Sequence, residues 1–213
     1  AAFNGGPETI SGEIFIGGGE TEAIRYIGRA LHRMRSLYPD VRFSLFSGNG
    51  EDVSERLDKG LLDFGLFVGM TNLKKYDYLQ LPYYHKWGVL MRKDDPLAQL
   101  EAISPENLQK IPIICSRQAL IQNELSGWLG KPFESLDIIG TYNLIYNASI
   151  MTEEGLGYAL CIDKLLELFE NSSLCFRPFE PAIKAELFIA WKKYQIFSSA
   201  AKKMLEILQQ ELD

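Results

Sequence analysis

Residues 12–50 read GEIFIGGGETEAIRYIGRALHRMRSLYPDVRFSLFSGNG, and this stretch decides the fold. Glu13 to Gly17 carries the run Ile14-Phe15-Ile16, which suits a strand covered on both faces. Gly17-Gly18-Gly19 ends it. From Thr21 to Tyr38 the apolar residues Ile24, Ile27, Leu31 and Met34 recur at spacings of three and four, the mark of an amphipathic helix with one buried stripe. Pro39 stops that helix. Val41 to Ser47 sets Val41, Phe43 and Leu45 against Arg42 and Ser44, the two-residue period of a strand. Gly48-Asn49-Gly50 then turns the chain.

The same alternation continues. Glu51 to Lys59 predicts a short helix with Val53 and Leu57 inward and Gly60 at its end, and Phe64 to Gly69 predicts a third strand. A β-α-β-α-β order implies a parallel sheet with right-handed crossovers. Tyr78 to Lys93 is a long apolar stretch broken at Pro82 and ended by Asp94-Asp95-Pro96. A second series follows: a short helix begun by Ser104-Pro105-Glu106, a strand at 111–115, a helix at 117–129, a strand at 136–140, a helix at 143–154, a buried strand at 158–162 and a helix at 163–171. A strand at 187–192 and a helix capped by Ser198 or Ser199 close the chain. Two series with a break near residue 85 suggest two lobes, and the closing strand and helix are available to complete the first. Two passages between lobes make a hinge.

The 213 residues carry a formal net charge of −6, and Lys and Arg are dispersed. Nucleic-acid binding draws most of its affinity from cationic contacts to phosphate, so these residues are not expected to grip DNA themselves. Cys115, Cys161 and Cys175 are odd in number, show no C-x-x-C spacing and lie in apolar runs. They read as reduced core thiols of a cytoplasmic protein, which makes the glycosylation sequons at Asn147 and Asn171 accidental. Ala1 to Ile10 lacks the charged start and apolar core of a signal peptide, and Asn4-Gly5-Gly6-Pro7 reads as a linker end.

Chemistry is sparse at this level. The two histidines are His32, among arginines on a helix, and His85, in the crossover stretch. No ligand cluster suggests a metal, no cofactor motif is complete, and no Gly-x-Ser-x-Gly marks a nucleophile. Gly17 and Gly19 are followed by Glu22 where a dinucleotide fingerprint needs its third glycine. No catalytic residue is therefore assigned, and an enzyme is not expected. Ligands of open α/β sheets sit beyond the carboxyl ends of strands. That rule selects Gly18, Gly19, Glu20 and Thr21, then Gly48 to Gly50, then Val68 to Met70; on the second series it selects Ser116-Arg117 and Thr141 to Asn143. Arg117 could pair an anion, whereas Glu20 would repel one.

Several stretches taken in order resemble the effector-binding domain of LysR-type transcriptional regulators. They are Gly12 to Gly17, Tyr38-Pro39-Asp40-Val41-Arg42-Phe43, Leu57 to Leu66 with its Gly60-Leu61-Leu62-Asp63 centre, Asp95-Pro96-Leu97-Ala98, and Gly155-Leu156-Gly157-Tyr158-Ala159-Leu160. The resemblance implies an α/β fold of two Rossmann-like lobes joined by two crossover strands, similar to type 2 periplasmic binding proteins. It implies a linker end at 1–11, a first lobe from 12–85 plus 187–213, and a second lobe from 86–186. A winged helix-turn-helix would precede residue 1, and the domains would pair as homodimers or tetramers. The effector would be a small molecule held between the lobes, touching Gly19, Glu20, Thr21, Gly48, Asn49, Arg117 and Thr141, with Gly18, Val68 and Asn143 on the same rim. The chain departs from the family in placing three glycines and a glutamate before Thr21. Two other readings share this architecture: a solute-binding protein of a transporter, and an enzyme.

Overall fold

The computed structural model describes residues 9–69, 74–165 and 172–213. Met70, and most of the helix expected at 163–171, lie outside them. Among the described residues nine strands form one continuous mixed sheet. β1 (Gly12–Gly18), β2 (Val41–Ser47) and β3 (Phe64–Val68) are mutually parallel, with β1 in the middle; Gly12 lies opposite Val41 and Gly18 opposite Ser47. β4 (Tyr76–Arg92) follows. β5 (Ile113–Ser116) runs parallel to both β6 (Ile138–Tyr142) and β7 (Tyr158–Ile162). β8 (Leu174–Pro178) and β9 (Lys184–Lys192) complete the set, in the order β2-β1-β3-β9-β4-β7-β5-β6 with β8 beside β4.

β4 and β9 tie the sheet together. Tyr76 to Lys86 pairs antiparallel with β9, and from Trp87 to Leu90 the same strand pairs with β7. Pro82 does not break the strand in two as expected. It sits in a register shift between Gln80 and Tyr84, where a residue without an N–H costs no ladder bond. β8 was not expected from the sequence. Its Leu174 and Cys175 are buried, while Phe176 to Pro178 are half-buried beside β4.

The helices cover both faces. α1 (Ile24–Leu37) buries Ile27, Ala30, Leu31 and Met34, three of which form the expected stripe. α5 (Ser199–Leu212), begun by the Ser198 hydroxyl accepting from Ala201 N–H, packs on α1 and joins Met204 and Leu208 to Ile14, Ile16, Phe64 and Ile189 in one core. α2 (Gly50–Asp58) lays Val53 and Leu57 against Phe67 on the opposite face. A second core gathers Val89, Ile103, Leu108, Ile113, Leu125, Leu160 and Phe179 around β5 and β7, covered by α3 (Ala119–Leu129) and α4 (Ile145–Glu153). Val68 is packed against both cores. The molecule is thus two lobes on one sheet, linked where β4 and β9 pass side by side.

One apolar expectation is corrected next to the sheet edge. Phe15 is not covered on its face and stands 41% exposed. The apolar face of β2 is bare beyond Val41, with Phe43 at 44% and Leu45 at 55%. The alternation is that of a strand, but β2 is the edge of the sheet and leaves those two side chains exposed.

Candidate functional site

The carboxyl ends of the parallel strands of both lobes converge. Gly19 and Glu20 after β1, Gly48 and Asn49 after β2, Val68 at the end of β3 and Asn143 after β6 line one cavity of about 70 Å³. Ser116, Gln118, Tyr142, Cys161 and Ile162 line it from the second lobe, and Trp87 lines it from the crossover strand. Tyr142 donates its hydroxyl to the Leu160 carbonyl at 2.6 Å and presents its ring there. Burial drives the Cys161 thiol far above its usual value, so it serves this wall as an apolar group. The charged side chain on the cavity is that of Glu20.

Backbone crowding explains the glycines of the first wall. A Cβ on Gly17 would lie 2.4 Å from Leu62 Cδ1, and one on Gly48 would lie 2.8 Å from Asp52 Cβ. The Gly48 N–H donates to the Gly18 carbonyl at 3.0 Å, which locks the two strand ends together. Asn49 starts α2: its Oδ1 accepts from Asp52 N–H at 2.9 Å and its own N–H donates to Asp52 Oδ2 at 3.1 Å. Its carboxamide oxygen is therefore committed to the helix.

The remaining candidates lie elsewhere. Gly18 and Thr21 line a groove of about 1380 Å³ that leaves the cleft and follows α1 toward Phe43 and Leu45. Thr141 borders a separate depression of about 320 Å³ with Met151 and Leu156. Arg117 is exposed, and its Nε donates to Thr141 Oγ1 at 3.4 Å. Gln118, Tyr142 and Trp87 were not singled out in the sequence. The first two lie next to residues that were; Trp87 lies on the long strand read only as a lobe passage.

A polar arrangement beneath the cavity was also missed. His85 is fully buried. Its Nε2 is 2.5 Å from the Thr21 hydroxyl, and its Nδ1 is 2.7 Å from Asp163 Oδ1. A carboxylate only accepts, so Nδ1 carries a proton toward Asp163; in the neutral imidazole Nε2 then accepts from Thr21. Thr21 Oγ1 in turn accepts from Ala23 N–H at 3.1 Å. Outside this line Tyr83 donates its hydroxyl to Glu22 Oε1 at 2.9 Å, and the Lys164 ammonium lies 4.2 Å over the Tyr83 ring and 3.9 Å from Glu22. The strand-end rule reaches Asp163, which follows β7, but nothing local in sequence joins residues 21, 85 and 163. Among the described residues no group of His, Cys, Asp and Glu could hold a metal ion, and no helix is long and apolar enough to cross a membrane.

This architecture has known relatives. The model of the LysR substrate binding domain matches residues 7–213. An uncharacterized HTH-type transcriptional regulator, YvbU of Bacillus subtilis, is 25% identical over 211 residues, or 93% of this chain; the match covers 67% of that protein. The chain spans about a third of the length of another such regulator, cbl of Escherichia coli, at 27% identity over 52% of this chain. Among solved structures, the effector binding domain of QuiR in complex with shikimate superposes with a TM-score of 0.80 at 15% identity, covering 95% of this chain and 98% of that one. Such a likeness shows the two-lobed fold, and the resemblance expected from Gly12 to Leu160 is thereby met. The chain belongs to the LysR substrate-binding domain family.

Proposed function

We propose that this chain senses a small metabolite in the cleft between its lobes and so adjusts the DNA binding of a LysR-type regulator through a winged helix-turn-helix elsewhere in the whole protein. The observation that carries this reading is the cavity itself: loops from β1, β2, β3 and β6 meet there, from both lobes. The family match supports it over a transporter's binding protein, and the lobes divide in this reading at 85/86 and 186/187. The free, buried cysteines suit a cytoplasmic setting.

The lining also bears on the ligand. Its polar groups are glycine backbone, the Ser116 hydroxyl and the amides of Asn49, Gln118 and Asn143, with Glu20 as the charged member. A carboxylate would meet Glu20 without a cation among the lining side chains, since Arg117 turns to Thr141. The ligand we propose is small and either uncharged and hydrogen-bonding or cationic. A thermal-shift screen with matched panels of organic acids, polyols, amides and amines tests this. A ligand at about 100 times its dissociation constant should stabilise the fold by about 2.7 kcal/mol. Stabilisation by acids alone would overturn the ligand class, and silence from every panel would count against the sensor.

The bare β2 edge favours self-association. Leu37, Phe43 and Leu45 stand 56%, 44% and 55% exposed along the α1–β2 side, a patch that a second copy would cover. Sedimentation should give a dimer for the parent and a monomer for Phe43→Glu. An unchanged dimer would place the interface elsewhere.

A further inference from the structure

The bonds of His85 reach a cavity loop of each lobe. Thr21 ends the loop Gly19–Thr21, and Asp163 sits between Ile162 and Leu165; both segments border the cavity. His85 itself lies where β4 leaves one pairing partner for another, opposite Ala185 and two residues before Trp87. We infer that Thr21, His85 and Asp163 form a buried strut that sets the spacing of the two ligand loops and couples the cavity to the hinge.

Geometry and burial support the assignment. Thr21 is 6% exposed and His85 is fully buried, so the bond between them is shielded from competing water, while the Asp163 side chain is 19% exposed at the outer end. The Asp163 backbone is fixed to the hinge strand by its N–H donating to the Lys86 carbonyl at 2.8 Å. Thr21 is fixed on its other side by Ala23 N–H. A change of hinge angle must therefore lengthen or bend one of two bonds rather than slide a free side chain. An outer layer runs parallel to the strut: Glu22 of the first lobe, Tyr83 of the hinge strand and Lys164 of the second lobe, with the Tyr83 ring edge-on to His85 at 5.2 Å. The Thr-His-Asp order is that of nucleophile, base and orienter in hydrolases. Here the hydroxyl is buried and occupied in holding the turn before α1, which makes these positioning residues and not catalytic ones. Two arrangements of a packed hinge of this kind are how small shifts at a ligand become lobe movements.

The coupling to ligand rests on the proposed cleft site, but the strut itself is testable without any ligand. Nitroxide pairs on the exposed positions of Leu61→Cys and Lys131→Cys report the separation of the lobes by pulsed dipolar spectroscopy. The parent and Thr21→Ser, which keeps the hydroxyl, should give the same narrow distribution. Thr21→Val and Asp163→Leu should each change the ratio of separated to close lobes by about five- to tenfold, and the double variant should add little to either. Circular dichroism identifies folded variants. Unchanged distributions in folded Thr21→Val and Asp163→Leu overturn the proposal, as does hydrolysis of an activated ester by the parent that Thr21→Val abolishes. A second arm needs no variant: ¹⁵N spectra of the parent's imidazoles should show the His85 proton held on Nδ1 with slow solvent exchange. A proton on Nε2, or rapid exchange between the two nitrogens, also overturns it.

Discussion

The loops after β1 and β2 form one wall of the cleft, and the segments after β5, β6 and β7 form the other. The first centres on the glycines Gly19 and Gly48, with Glu20 and Asn49 beside them and Gly17 and Gly18 at the end of β1 behind, where an added Cβ at Gly17 or Gly48 collides with Leu62 or Asp52. The second is made of side chains: Ser116, buried, Gln118 and Tyr142, half-buried, and Asn143, exposed. Both grow from a strand followed by a helix, yet only the first is packed so tightly that its shape is fixed by the core beneath it. A rigid backbone wall facing an adaptable side-chain wall leaves recognition to the second lobe and registration to the first.

Substitutions can break that comparison, the largest effect lying at the hinge between the walls. A Cβ on Gly88 would stand 2.3 Å from the Arg177 carbonyl oxygen and 2.8 Å from Pro178 Cα, which are backbone atoms of β8 and cannot swing away. Gly88→Ala is expected to cost at least the upper part of the usual overpacking range of about 1–3 kcal/mol, read as a large fall in melting temperature. Behind the first wall Gly65→Ala presses on side chains instead, Val53 Cγ1 at 2.8 Å and Phe67 Cε2 at 2.9 Å. Its cost should fall lower in that range of about 1–3 kcal/mol, with urea melts as the check. A Gly65→Ala chain more damaged than Gly88→Ala would mean that the side chains are no softer than the backbone.

A smaller effect separates the walls by pH. Burial pushes the Cys115 thiol, on β5 beneath the second wall, from its usual 9.0 up to about 12. The unfolded chain therefore ionises first. The contribution is fully present below the free thiol's value and is lost as pH rises toward the folded one. Denaturant melts should show stability declining on that alkaline limb, with a shallower decline in Cys115→Ala; parallel slopes would refute the assignment. Smallest of all is Asn143→Ala. Asn143 is exposed, so stability should move by less than about 0.5 kcal/mol, while affinity for any compound found by thermal shift should drop. Loss of stability without loss of binding would reverse the roles of the walls.

Much of this was legible in residues 12–69, where periods of 3.6 and 2.0 alternate cleanly and Pro39, Gly48 and Gly60 punctuate them. The second lobe was read with its helices a few residues too long, and β8 was passed over because Leu174-Cys175-Phe176 is too short an apolar run to declare a period. The outward turn of Phe43 and Leu45 was hidden, since alternation shows that a strand has two faces and not whether a helix covers one. The candidate site divided similarly. Strand ends located Gly19, Glu20, Gly48, Asn49, Val68 and Asn143 beside one cavity. Arg117 follows β5, but Thr141 lies inside β6, and their side chains turn toward each other. The bonds of His85 span separations of 64 and 78 residues, and only the folded chain brings those partners together.

Amide hydrogen exchange with and without a compound that stabilises the fold tests the two-wall site most directly. Slowed exchange is expected together at 18–21 and 48–49 in the first lobe and at 142–145 and 161–163 in the second. Protection confined to one wall, or to α1 and β2 along the outer groove, would contradict a ligand held between the lobes.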